Sequence, residues 1–138
     1  MSESAEDTDQ RNGTRSPRRV LVIEDDESTQ LLFETLLSKE FQVDVERDPE
    51  RGLARTEKTS YDLVLLDIYL QHEQLDGVAV LEALRGREAY AEVPVIAITA
   101  YALPGDRDRF IDAGFDEYVS KPFERTKLLA MIDELITR

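Results

Sequence analysis

From residue 20 the chain alternates between two kinds of segment. Short, β-branched apolar runs recur at Val20-Leu21-Val22-Ile23, Leu63-Val64-Leu65-Leu66 and Val95-Ile96-Ala97-Ile98. They are apolar at every position, as strands covered on both faces must be. The segment from Phe41 to Glu46 alternates instead, with Val43 and Val45 against Gln42, Asp44 and Glu46, which suits a half-exposed edge strand. Tyr118-Val119 is a short fifth candidate. Between the strands lie amphipathic stripes: Leu32, Phe33, Leu36 and Leu37; Val80, Leu81 and Leu84; and Leu128, Met131, Ile132, Leu135 and Ile136. Residues 49–59, opened by Pro49, and 104–113, opened by Pro104-Gly105-Asp106 and closed by Gly114, fit two further helices. Five strands alternating with five helices predict an α/β fold: a parallel sheet with right-handed crossovers and helices on both faces.

Residues 1–19 carry almost nothing to bury and read as a disordered lead-in. Residues 20–138 then form one domain with one real core, within a chain of 138 residues. The lead-in has four acids and four arginines, so the net charge of −13 belongs to the domain. A surface this acidic repels phosphodiester backbone and anionic lipid, which argues against direct nucleic-acid binding. No apolar run approaches a membrane span, and the acidic N-terminus has no signal-peptide core, so the expected location is cytoplasmic. Cysteine is absent and His72 is the single histidine, which excludes disulfide scaffolds, thiolate metal sites and multi-histidine zinc or haem sites.

The chemistry gathers where the strands end. Ile23 is followed by Glu24, Asp25 and Asp26; Leu66 by Asp67; Ile98 by Thr99; Val119 and Ser120 by Lys121 and Pro122. In a doubly wound parallel sheet these positions share the carboxyl edge, where ligands bind. Two carboxylates about 4 Å apart repel by roughly 4 kcal/mol at an effective dielectric near 20. Lys121 offsets part of this for Glu24, Asp25 and Asp67; the rest calls for a divalent cation or a raised carboxylate pKa. All-oxygen ligation points to Mg²⁺, or Mn²⁺, rather than zinc. A carboxylate nucleophile, a hard cation, a lysine and a hydroxyl are the parts needed for phosphoryl transfer to an aspartate.

The segments Val20 to Glu27, Asp62 to Asp67, Asp76-Gly77, Pro94 to Ala100 and Tyr118 to Phe123, in this order, resemble the receiver domain of two-component response regulators, from about residue 19 to the end. The resemblance implies a flavodoxin-like, doubly wound five-stranded parallel sheet in the order 2-1-3-4-5. It implies that Asp67 accepts a phosphoryl group from a histidine kinase or histidine phosphotransfer protein, in a reaction the domain itself catalyses. Asp25, Asp67 and the backbone carbonyl of Tyr69 would ligate Mg²⁺, with Glu24 acting through water. Lys121 would contact the phosphoryl oxygens, Thr99 would be the switch hydroxyl, and Tyr118 the aromatic that follows it. The resemblance also favours a cis Lys121–Pro122 peptide. Small Ala100 leaves the phosphoryl group room, and Tyr69 and Tyr101 flank the path of an attacking water. Signalling is expected through residues 102–137, towards a downstream protein or a second copy.

Two features depart from the family pattern: Gln71 replaces a proline, and the loop 68–75 is about two residues longer than usual. A haloacid-dehalogenase-type phosphatase would need an aspartate two residues past the nucleophile, where Tyr69 stands. A pseudo-receiver would lack one of Asp67, Asp25, Lys121 or Thr99. A flavodoxin would not place Glu24 to Glu27 where a phosphate loop belongs. His72 reads as an exposed loop residue, and the sequence leans towards a stand-alone receiver.

Overall fold

The computed structural model describes residues 18–70, 75–100 and 102–137. Five strands, β1 (Arg18–Ile23), β2 (Phe41–Glu46), β3 (Leu63–Asp67), β4 (Val95–Thr99) and β5 (Glu117–Ser120), alternate with α1 (Glu27–Leu37), α2 (Pro49–Lys58), α3 (Gly77–Arg85), α4 (Asp106–Ala113) and α5 (Arg125–Thr137). The strands form one sheet in the order β2-β1-β3-β4-β5, every pair parallel. A short 3-10 turn, Glu88–Tyr90, precedes β4 and had no signal in the apolar pattern.

β1, β3 and β4 are the inner strands, and their continuous apolar runs supply both cores. On one face Leu21, Ile23, Val64, Leu66 and Ala97 pack with Val80, Leu81, Leu84 and Phe110 of α3 and α4. On the other Val20, Val22, Leu65, Ile96 and Ile98 pack with Phe33 and Leu37 of α1 and Leu128, Ile132 and Leu135 of α5. β2 is an edge strand, and its alternating pattern leaves it only half-buried, as expected.

Two sequence expectations need correction. β1 begins at Arg18, so Arg18 and Arg19, read from sequence as part of the lead-in 1–19, are strand residues paired with Phe41 and Gln42, because the backbone of an edge pair extends the ladder whatever the side chains. Residues 1–17 lie outside the described residues. In α1 the stripe is Phe33, Leu36 and Leu37; Leu32 is 51% exposed, because it lies round the helix from the sheet-facing side.

Helix starts set the site's loops. Asp26 caps α1, accepting from Thr29 N at 2.9 Å, and Asp76 caps α3, accepting from Ala79 N at 2.9 Å. α4 lies between two glycines in the left-handed region, Gly105 (φ 84°) and Gly114 (φ 119°), where a side chain would be strained. The Lys121–Pro122 peptide is cis.

Candidate functional site

Each inner strand ends on a functional group, and parallel register brings the groups to one edge. Ile23 pairs with Leu66, and Asp67 with Ile98, so Glu24, Asp67 and Thr99 leave neighbouring strands at one level. One carboxylate oxygen from each of Glu24, Asp25 and Asp67 lies within 4.8 Å of the others. Lys121 Nζ stands 2.7 Å from Glu24 Oε1 and 3.8 Å from Asp67 Oδ2. These groups line an open cleft of about 340 Å³ with Asp26, Thr29, Tyr69 and Ala100.

The cleft holds three clustered carboxylates against one ammonium. Glu24 is fully buried, and desolvation, followed by its hydrogen-bonded contact with Asp67, pushes its pKa up to about 7. Burial pulls the Lys121 pKa down, but the Glu24 contact and the charges of Glu24, Asp67 and Asp26 outweigh it and leave the pKa raised. Lys121 is therefore a cation at neutral pH. Asp26, which is exposed, has its pKa lowered by the hydrogen bonds from Thr29.

This donor set fits a hard divalent cation. It offers only oxygen, the charge is in excess of what Lys121 balances, and Glu24 Oε1 is buried with no well-formed hydrogen bond beside its ion pair.

The local backbone holds the carboxylates in place. Asp26 N donates to Glu24 Oε2 at 3.1 Å, and Gln30 Nε2 donates to the Glu24 carbonyl at 2.5 Å. Tyr69 N donates to Asp67 Oδ1 at 3.0 Å, leaving Asp67 Oδ2 on the Lys121 side. On the far side Phe123 stacks on Phe33 at 4.9 Å and ties the Lys121 loop to α1. Thr29, Gln30 and Phe33 were not singled out as site residues from sequence. The Asp26-x-x-Thr29 capping pattern was a readable signal for the first; the other two act across tertiary distances.

Thr99 is fully buried. It pairs with Ser120, while Tyr118 pairs with Ala97 two residues earlier. Thr99 and Tyr118 thus share one face of the sheet, one diagonal step apart. The Tyr118 ring stacks on Phe110 at 5.7 Å. Its hydroxyl is buried with no hydrogen-bond partner among the described residues. Burial and then the Asp106 charge raise its pKa. Tyr69 is 41% exposed at the rim of the cleft. Tyr101, Gln71 and His72, each given a reading from sequence, lie outside the described residues.

The response regulator receiver domain matches residues 20–133. The chain is 31% identical, with a TM-score of 0.80, to the receiver domain of sensor histidine kinase PA1611 from Pseudomonas aeruginosa PAO1, covering 89% of this chain and 100% of that one. That structure has a magnesium ion coordinated in its active-site cleft. Among curated proteins, it is 42% identical over 115 residues to the transcriptional regulatory protein DltR of Streptococcus agalactiae, covering 83% of this chain and 50% of that protein. It is 35% identical over 130 residues to hybrid signal transduction histidine kinase I of Dictyostelium discoideum, covering 88% of this chain and 7% of that protein. The chain therefore spans half or less of the length of these two curated relatives.

Proposed function

The chain belongs to the response regulator receiver-domain family, and from that premise we propose that it is a phosphoacceptor switch whose phosphorylated residue is Asp67. Receiver domains are signalling modules rather than classical enzymes, and they take phosphoryl groups from histidine kinases. The donor here is a histidine kinase or a histidine phosphotransfer protein. An Asp67 carboxylate oxygen attacks the phosphorus of the donor's phosphohistidine; the new P–O bond forms as the P–N bond breaks, and the imidazole leaves with the donor.

Glu24, Asp25 and Asp67, with the Tyr69 carbonyl, would hold Mg²⁺, or Mn²⁺ on the same oxygens. When bound, the cation neutralises phosphoryl oxygens and relieves the carboxylate repulsion. Lys121 stabilises the charge on the phosphoryl oxygens, and its contacts with both Glu24 and Asp67 support this role. Ala100, without bulk, leaves space over Asp67. The Thr99 hydroxyl then turns to the phosphoryl group and Tyr118 follows into the space it leaves. This remodels the 102–137 face for a downstream protein or a second copy. Among the described residues no helix is long and apolar enough to cross a membrane.

The observation that carries the reading is the convergence of Asp67, Lys121 and two further carboxylates in one open cleft. The test is Asp67→Asn, which is nearly isosteric. Wild type incubated with Mg²⁺ and a small acyl phosphate gains a phosphoryl adduct by intact mass, and the variant gains none. An equal adduct on both would overturn the assignment.

A further inference from the structure

One peptide group links the α3 start to Asp67. The Ile68 carbonyl accepts from Gly77 N at 3.0 Å. The N–H of the same peptide, on Tyr69, donates to Asp67 Oδ1 at 3.0 Å. The Ile68–Tyr69 plane is thus held from behind by Gly77 and in turn holds the carboxylate. The approach is possible only because Gly77 has no side chain. A Cβ there would lie 2.6 Å from the Asp67 carbonyl oxygen and 2.6 Å from Ile68 Cα, both backbone atoms that cannot swing aside.

We propose that Gly77 is a positioning residue for the phosphoryl acceptor, acting through the Ile68–Tyr69 peptide to fix the direction of the Asp67 carboxylate. The inference rests on Asp67 being the acceptor. Gly77 does not line the cleft. Its N–H fixes one peptide plane, and that plane decides which Asp67 oxygen is engaged by Tyr69 and which faces Lys121. Reactivity is sensitive to such aim: a misplacement of about 1 Å can cost about a hundredfold in rate. The Asp76 cap on Ala79 N secures the turn that presents the Gly77 N–H.

The experiment compares Gly77→Ala with Leu135→Ala. Leu135 is 4% exposed in the other core and lies one residue from Ile136, whose carbonyl accepts from Arg18 at the opposite end of β1. Its truncation lowers stability without touching the cleft. Both are read for urea stability, for the rate of adduct formation with a small acyl phosphate and Mg²⁺ under conditions where both are folded, and for the Tyr69 amide proton resonance without metal or phosphoryl donor. The expected result is wild-type rate and an unmoved Tyr69 amide in Leu135→Ala. Gly77→Ala should show a rate at least about tenfold lower and a shifted Tyr69 amide.

A folded Gly77→Ala with wild-type rate and an unmoved amide overturns the proposal, as does an equal slowing in Leu135→Ala. Should Gly77→Ala fail to fold, Asp76→Ala loosens the same turn without adding an atom. It is expected to move the Tyr69 amide and slow the reaction roughly threefold, in the range a weakened orientation supplies; no change in either overturns the proposal. Failure of the acceptor assignment is distinct: wild type then gains no adduct, or Asp67→Asn gains as much.

Discussion

The two ends of the same strands handle buried polar groups in opposite ways. At the amino edge both terminal nitrogens of one arginine are engaged. Arg85 donates to the carbonyls of Tyr90 (3.0 Å), Val93 (2.7 Å) and Gly114 (3.1 Å) and pairs with Asp116 at 2.8 Å. Asp116 also accepts from Val95 N at 2.8 Å. Beside it the Tyr90 hydroxyl donates to the Thr59 carbonyl at 2.9 Å and accepts from Tyr61 N at 3.2 Å. Charge is matched one to one and the starts of β4 and β5 are tied together. At the carboxyl edge three carboxylates face one lysine, and Glu24 is buried with its pKa raised to about 7. Burying polar groups costs stability unless partners are supplied. The amino edge draws its partners from the chain; on the proposed function, the carboxyl edge leaves part of its own to a cation and a phosphoryl group. The proposed function thus assigns stability and phosphoryl chemistry to opposite ends of one sheet.

The largest effect that would break this division is a carboxyl-edge charge whose removal unfolds the protein. Lys121→Met should instead cut the rate of phosphorylation by about a hundredfold or more, since one group stabilising transition-state charge supplies about 2.7–4 kcal/mol. The fold should survive, because Glu24, with its pKa already near 7, takes up a proton rather than remaining an unpaired buried charge. Adduct formation and urea unfolding on one preparation measure both. Rapid phosphorylation by the variant would remove Lys121 from the mechanism.

Arg85→Ala is the mirror experiment. It removes the ion pair of Asp116 and the shared donor to three carbonyls, so unfolding free energy should drop by about 2–4 kcal/mol. The folded protein should still phosphorylate at the wild-type rate. A stability change within experimental error would show that the amino edge does not carry the load assigned to it.

These two residues also mark what could be read from sequence. Glu24, Asp25, Asp67, Thr99 and Lys121 were visible because each follows an apolar run, and strand ends in a parallel sheet share an edge. The strands and both faces of the sheet followed from the same periodicity. Arg85 was invisible: its partners Gly114 and Asp116 are about thirty residues away, and a lone arginine at a helix end reads as an exposed dipole partner. Leu32 failed for a related reason, since four leucine and phenylalanine positions on a helix exceed the width of the face it buries. Gly77 is legible only as part of the Asp76-Gly77 motif, because a close backbone approach leaves no trace in hydropathy.

The third expected effect is on stability again, now through the ligand. A cation that binds the folded cleft and not the unfolded chain stabilises by about 2.7 kcal/mol at roughly a hundred times its dissociation constant. Urea curves with and without Mg²⁺ should show this increment in wild type and in full in Arg85→Ala, even though the latter starts lower. Asp25→Asn should lose most of it. An increment that persists in Asp25→Asn would place the cation elsewhere.

The smallest effect lies at the rim of the carboxyl edge and concerns how long the phosphoryl group stays. Hydrolysis needs a water in line with the Asp67–phosphorus bond. Tyr69 stands at that rim, with its amide on Asp67 Oδ1, while neighbouring Ala100 offers no cover. A tyrosine ring there is expected to hinder the approach of water, and it lacks the carboxylate or amide that would hold one in line. Tyr69→Asn removes the ring, supplies an orienting amide and keeps the backbone N–H. Phosphate loss should then quicken by about tenfold, equivalent to about 1.4 kcal/mol of barrier. Arg85→Ala, which alters only the other edge, should keep the wild-type half-life. The half-lives of the three phosphorylated proteins, followed by intact mass after the donor is removed, measure this. If Tyr69→Asn loses phosphate no faster than wild type, the ring does not shield the site. If Arg85→Ala loses it just as fast as Tyr69→Asn, the two edges are coupled and the division between them fails.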